Sequence, residues 1–122
     1  MLVILVSVGT GFGYGAELAS LVGGHPAAGW SVARAADRMG LSVRGLQCRL
    51  ATEGTSFRAT VTEARLRAAA ALLSYGELGL AEIAFACGFA DHAHFARCFR
   101  RCYEVPPSGF REAIAAGATR QE

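Results

Sequence analysis

The chain carries one short pattern twice. Residues 36–50 read Ala36-x-x-Met39-Gly40-Leu41-Ser42, followed by Leu46 and Leu50. Residues 84–99 read Ala84-x-x-Cys87-Gly88-Phe89-x-Asp91, followed by Phe95 and Phe99, about 49 positions later. In each copy a small alanine lets two helices approach and a glycine permits the turn between them. A polar residue, Ser42 or Asp91, then caps a second helix, and apolar residues four apart mark its buried stripe. This is the pattern of a helix-turn-helix, and two such units restrict the chain to an all-α fold.

The flanking sequence extends that fold. Ser31 is an N-cap for a helix carrying Val32, Ala35, Ala36 and Met39 inward. The helix opened by Ser42 runs to about Thr52 and stops at Gly54. Ser56 to Ser74 predicts a long helix with Phe57, Val61, Ala64, Ala68, Leu72 and Leu73 at three- and four-residue spacing, ended by Tyr75-Gly76. Leu80 to Ala86, Asp91 to Tyr103 and Pro107 to about Ala115 complete the set, with Pro107 suited to a first helical position. The expected organisation is an N-terminal arm with a possible first helix (1–29), a first helix-turn-helix (30–54), a linker helix (55–76), a second helix-turn-helix with its closing helix (77–115) and a frayed tail (116–122). The expected core is Met39, Leu46, Leu50, Phe57, Val61, Leu72, Leu73, Ile83, Phe89, Phe95, Phe99 and Phe110.

Residues 1–29 read differently. Leu2 to Val8 suits a short buried strand, and Gly11-x-Gly13-x-x-Ala16 imitates the start of a dinucleotide-binding fold. That fold needs a second strand and an acidic residue near 30–37, where the pattern is helical. An arm leading into a first helix around Tyr14–Val22 is therefore expected.

Charge is informative by position. The 122-residue chain has a formal net charge of only +2, and all 12 basic residues are arginine. Between Trp30 and Arg111, however, 11 arginines face seven acids, a local net of +4, and clustering matters more than the total for a polyanion partner. Cys48, Cys87, Cys98 and Cys102 lack secreted-framework spacing and suggest reduced thiols in a cytoplasmic protein. The apolar start is too short for a membrane span and lacks the basic start and clean cleavage site of a signal peptide. No nucleophile with its base, carboxylate pair or supported phosphate cradle stands out, so neither enzymatic activity nor a cofactor is expected.

The second helix of each unit has the chemistry to enter a DNA major groove. With Leu46 and Leu50 inward, Arg44, Gln47 and Cys48 point outward. Arginine can grip guanine and glutamine adenine, each through two hydrogen bonds. With Phe95 and Phe99 inward, Ala93, Arg97, Arg100 and Arg101 point outward, with His92 near the helix start. Arg49 and Arg58 flank the first unit and suit phosphate contacts, which position a protein without reading sequence.

These residues carry a specific resemblance. Ser42-x-Arg44-x-Leu46-Gln47-x-Arg49-Leu50, Glu53-Gly54-Thr55-Ser56-Phe57, Glu82-Ile83-Ala84, Gly88-Phe89-x-Asp91, His94-Phe95-x-Arg97-x-Phe99-Arg100-Arg101 and Pro107-Ser108-x-Phe110-Arg111 resemble the DNA-binding domain of the AraC/XylS family of bacterial transcription regulators. The resemblance spans about Ser31 to Arg111. It implies seven helices in two helix-turn-helix units joined by a long helix, and helices 42–52 and 91–103 reading two successive major-groove segments about 34 Å apart. It implies base-reading positions at Arg44, Gln47, Cys48, His92, Ala93 and Arg97. Phosphate contacts are expected at Ser42, Arg49, Arg58, Arg100 and Arg101. The expected partners are double-stranded promoter DNA and RNA polymerase, with an activating role and no membrane.

The chain departs from the family pattern in several places. Cys48 stands where the family often has arginine, and Glu104 where it usually has glycine. Gly45 lies inside a reading helix, at a cost of about 1 kcal/mol relative to alanine. Members commonly carry a large effector-binding or dimerising domain ahead of this one. Residues 1–29 are too short for that, so a stand-alone or shortened form without a small-molecule effector is expected.

Two alternatives compete with this reading. His94, Cys98 and Cys102, at i, i+4 and i+8, could converge on a soft metal such as zinc, with Cys87 as a fourth ligand, in a metal- or thiol-sensing protein. Packing of the cysteines beside Phe95 and Phe99 is the favoured reading, and no metal is expected. The second alternative is a shortened, non-regulating fragment of a larger regulator.

Overall fold

The computed structural model describes residues 13–75 and 77–120. The expected strand at residues 2–8 and most of the glycine-rich stretch after it lie outside the described residues. Within them the chain forms seven helices and no strand. They are α1 (Tyr14–Gly24), α2 (Val32–Arg38), α3 (Val43–Thr52), α4 (Phe57–Tyr75), α5 (Leu80–Ala86), α6 (His92–Tyr103) and α7 (Pro107–Arg120). Among the described residues, no helix is long and apolar enough to cross a membrane.

Local chemistry explains where the helices begin and turn. The Ser31 and Ser42 side chains accept the backbone N–H groups of Arg34 and Gly45, and Asp91 accepts that of Ala93. Each satisfies a donor that the first helical turn leaves unpaired. Glu82 reaches back from α5 to accept the Gly79 N–H at 2.8 Å. The two helix-turn-helix turns pass through Gly40 (φ +71°) and Gly88 (φ +91°).

The described residues divide into two compact units, one within residues 1–25 and 29–64 and the other within 26–28 and 65–122. In the first unit α3 packs against both α1 and α2. Leu18 and Val22 of α1, Ala35 and Ala36 of α2, and Leu46 and Leu50 of α3 are buried. In the second unit α6 packs against α5 and α7. Its core joins Leu66, Ala69 and Leu73 of α4 to Ile83, Ala84, Cys87, Phe89, Phe95 and Phe99. Each large side chain so buried contributes about 1.5–3 kcal/mol. Arg111 fastens the end of α4 and the loop after it, donating from Nη2 to the Leu78 carbonyl at 2.6 Å and from Nε to the Leu73 carbonyl.

Several sequence expectations need correction. Met39, Phe57, Leu72 and Phe110 are only half-buried. Met39 lies past the end of α2 as its C-cap, and Phe57 is the first residue of α4. Leu72 and Phe110 pack on the margin of the second core rather than inside it. Leu18, Val22, Trp30, Leu66, Ala69 and Cys87 are buried instead, though none was expected in the core. Helix α7 continues through Gly117 to Arg120, beyond the expected end near Ala115 and into the expected tail. Ala113, Ala115, Ala116 and Ala118 are strong helix formers that offset Gly117.

Glu104 follows α6 in the left-handed region (φ 68°), the only non-glycine described residue with positive φ. Its N–H donates to the Arg100 carbonyl at 2.7 Å, closing the helix. A side chain in this conformation costs about 1–2 kcal/mol. Glu104→Gly is therefore expected to stabilise the protein by about 1 kcal/mol, read as a rise of a few degrees in the thermal midpoint. An unchanged or lowered midpoint would count against strain at this cap.

Candidate nucleic-acid interface

On α3 the burial of Leu46 and Leu50 turns Arg44, Gln47 and Cys48 to solvent, and all three are exposed. They are spaced i, i+3 and i+4, on one face. Ser42 opens this helix with its oxygen occupied by the Gly45 N–H at 2.9 Å, which leaves its hydroxyl hydrogen to donate elsewhere. Thr52 bonds back to the Cys48 carbonyl at 3.0 Å, tightening the last turn. Arg49 is exposed beside this face, with its guanidinium 5.0 Å from the centre of the Tyr14 ring. Hydrogen bonding to Tyr14, followed by charge interaction with it, raises the Arg49 pKa above its ordinary value. Arg58 is exposed in the first turn of α4.

On α6 the rings of Phe95 and Phe99 are fully buried 5.7 Å apart, and Phe89 packs 5.2 Å from Phe95. The face opposite them carries Ala93, Arg97, Arg100 and Arg101, all exposed, and His92 is exposed in the first turn. Among the described residues, none of Arg44, Arg58, Arg97, Arg100 and Arg101 is held in an ion pair. Glu53, Glu82 and Asp91 instead accept backbone N–H groups at helix starts. The outward cations therefore remain available to an external anion.

The repeat sets the two outer faces in register: Arg44 corresponds to Ala93, and Cys48 to Arg97. The first helix places its cation early on that face, whereas the second places it late. Beyond Arg97, α6 also presents Arg100 and Arg101 where α3 has the uncharged Ala51 and Thr52.

The soft-ligand stripe is only partly packed: Cys98 borders the second core, whereas His94 and Cys102 are exposed. Cys98 Sγ lies 3.7 Å from His94 Nε2, and the His94 ring is 5.9 Å from that of Phe89. Cys87, the candidate fourth ligand, is fully buried in the second core, where desolvation raises its thiol pKa. A buried thiol of this kind behaves as a small apolar residue. Among the described residues, no three His, Cys, Asp or Glu side chains are grouped as a metal ion would require, and no disulfide joins Cys48, Cys87, Cys98 or Cys102.

Sequence reasoning missed three polar arrangements. Trp30 is buried, donates to the His25 carbonyl, and lies beneath Arg34 (5.0 Å) and Arg38 (5.9 Å). Glu53 holds the start of α1, and Arg65 holds the carbonyls of Pro26 and Ala28. The spacing of Trp30, Arg34 and Arg38 was a readable signal, one helical turn at a time. The other two arrangements join residues too far apart in sequence for any local pattern.

Comparison with known proteins gives the same architecture. Residues 35–113 match a family model described as a helix-turn-helix domain. The chain is 32% identical over 85 residues to the transcriptional regulator SirC of Salmonella typhimurium, covering 70% of this chain and 29% of that protein. It thus spans less than a third of this relative's length. Among solved structures, it resembles a DNA-binding transcriptional dual regulator from Escherichia coli K-12 at a TM-score of 0.80 and 25% identity, covering 85% of this chain and 94% of that one. It also resembles a regulator with an AraC-type DNA-binding domain from Chromobacterium violaceum, at a TM-score of 0.77 and 27% identity over 84% and 92% of the two chains.

Proposed function

Because this chain belongs to the AraC/XylS family of helix-turn-helix DNA-binding domains, we propose that it binds duplex DNA in a sequence-specific manner and regulates transcription. In this reading residues 30–54 and 77–115 are the two binding units, residues 55–76 join them, and α3 and α6 enter successive major-groove segments. Arg44, Gln47, Cys48, His92, Ala93 and Arg97 meet base edges. Ser42, Arg49, Arg58, Arg100 and Arg101 meet phosphates. Activation through contact with RNA polymerase at a promoter belongs to the same proposal.

The observation that carries this reading is the pairing of burial with free charge. Two capped helices each bury their apolar stripe and leave an exposed opposite face, whose arginines are not engaged by carboxylates among the described residues. Phosphate neutralisation by such cations supplies non-specific affinity, and contacts to base edges supply preference. Selection of bound sequences from a random duplex pool tests the function, with enrichment of a recurring motif as the expected result. Failure to enrich any motif would remove sequence-specific regulation.

Two substitutions separate the proposed roles. Arg44→Ala is expected to cost about 1–3 kcal/mol on the selected site and to relax preference at one base pair. Arg101→Ala is expected to weaken all duplexes similarly and to reduce the slope of log affinity against log salt by about one. Affinities measured for the selected and scrambled duplexes across salt would reverse the assignment if Arg44→Ala proved uniform and Arg101→Ala selective.

A further inference from the structure

Helix α1 lies ahead of the residues that match the family model, which begin at 35, yet it is joined to the end of the first reading helix by two distinct contacts. The Glu53 carboxylate, just past α3, accepts the Tyr14 N–H at 2.7 Å through Oε2 and the Gly15 N–H at 2.9 Å through Oε1. Both oxygens of one carboxylate thus satisfy the first donors of α1, at the end of the helix where the dipole favours negative charge. A side chain on Gly13 would stand 2.8 Å from Glu53 Oε1, so the carboxylate would have to shift to admit one. The second contact is the Arg49 guanidinium over the Tyr14 ring, one turn before Glu53 on α3.

The geometry leaves Arg49 usable. The guanidinium carbon lies 5.0 Å from the Tyr14 ring centre, and a guanidinium has five N–H donors, so a contact with one tyrosine leaves others for an anion. Arg49 sits on the flank of α3, beside the face of Arg44, Gln47 and Cys48, which suits the margin of a groove rather than its floor. A long flexible side chain loses rotamer freedom when fixed. A ring already beneath it reduces the part of that loss charged to binding.

We infer that Tyr14 and Glu53 are positioning residues for the DNA complex, with Glu53 fixing the start of α1 so that the Tyr14 ring holds the Arg49 guanidinium toward a backbone phosphate. This rests on the duplex-binding reading above and adds α1 to the interface as a support that does not itself touch DNA.

The test is a double-mutant cycle on duplex affinity across salt, using Arg49→Ala, Tyr14→Ala and the pair, with Tyr14→Phe and Arg49→Lys as conservative variants. Arg49→Ala should weaken selected and scrambled duplexes alike and reduce the salt slope by about 0.9. Tyr14→Ala should weaken binding in the parent but have little further effect once Arg49 is absent. Tyr14→Phe keeps the ring but loses the hydroxyl, and should fall between the parent and Tyr14→Ala. Arg49→Lys keeps the charge without the flat face and should retain the salt slope while losing its dependence on Tyr14. Glu53→Gln, with one carbonyl oxygen for two N–H groups, should fall between the parent and Tyr14→Ala. Equal effects of Tyr14→Ala with and without Arg49 would overturn the inference while leaving duplex binding intact. A parent protein with no salt-dependent duplex binding would instead remove the reading on which the inference rests.

Discussion

Phe95→Ala is expected to destabilise the second unit by about 3–5 kcal/mol. The ring is fully buried at the meeting point of α5, α6 and the turn between them, with Phe89 at 5.2 Å and Phe99 at 5.7 Å. Truncation removes the transfer energy of the ring and leaves a cavity whose aromatic walls lose favourable offset contacts. Against a typical domain stability of about 5–15 kcal/mol, the loss is large. For a unit of this size it corresponds to a fall of at least about 10 °C in the thermal midpoint, measurable by helical circular dichroism. A mutant melting within a degree or two of the parent would mean that the inward face of α6 is misassigned. DNA binding should fail in parallel, because the same residue orients Arg97, Arg100 and Arg101.

Gly88→Ala is the second large effect, at about 3 kcal/mol or more, and it arises differently. The residue has φ +91°, a conformation that strains any L side chain. An added Cβ would also press inside contact distance of the Pro26 carbonyl oxygen and stand 2.7 Å from Arg65 Nε. That oxygen is the acceptor for Arg65 Nε at 3.0 Å, and Arg65 Nη2 donates to the Ala28 carbonyl at 2.9 Å. Among the described residues no carboxylate pairs with Arg65; desolvation lowers its pKa, and the two carbonyls offset its partial burial. A methyl group at position 88 therefore adds strain and also displaces charged hydrogen bonds, worth about 1.5–3 kcal/mol each. Gly40→Ala is the matched control. Gly40 has φ +71° at the equivalent turn of the first unit, but its added Cβ would meet nothing within 4 Å, so only backbone strain of about 1 kcal/mol is expected. Equal losses for the two alanine variants, measured by denaturant unfolding, would show that the Pro26–Arg65 contact contributes nothing.

The sequence by itself determined the helices and their outward faces, because the interactions responsible span only a few residues. Ser31, Ser42 and Asp91 cap helices through bonds that reach two or three positions ahead. The four-residue spacing of Leu46 with Leu50 and of Phe95 with Phe99 fixes which residues must face solvent, and Arg44, Gln47, Cys48 and Arg97 are exposed accordingly. The candidate site was legible as a set of exposed positions for that reason. Its supports were not. Tyr14 and Glu53 are 39 residues apart, as are Pro26 and Arg65, and no local periodicity links such residues. The buried positions of α4 show the same boundary. Ala64 and Leu66 are both buried although a step of two does not stay on one helical face, while Leu72, which fitted the expected stripe, is only half-buried. Local pattern can say that a helix has apolar residues to bury. Which of them are buried, and which polar group reaches across to hold the helix in place, depends on neighbours brought in from distant parts of the chain, and only the tertiary structure decided that.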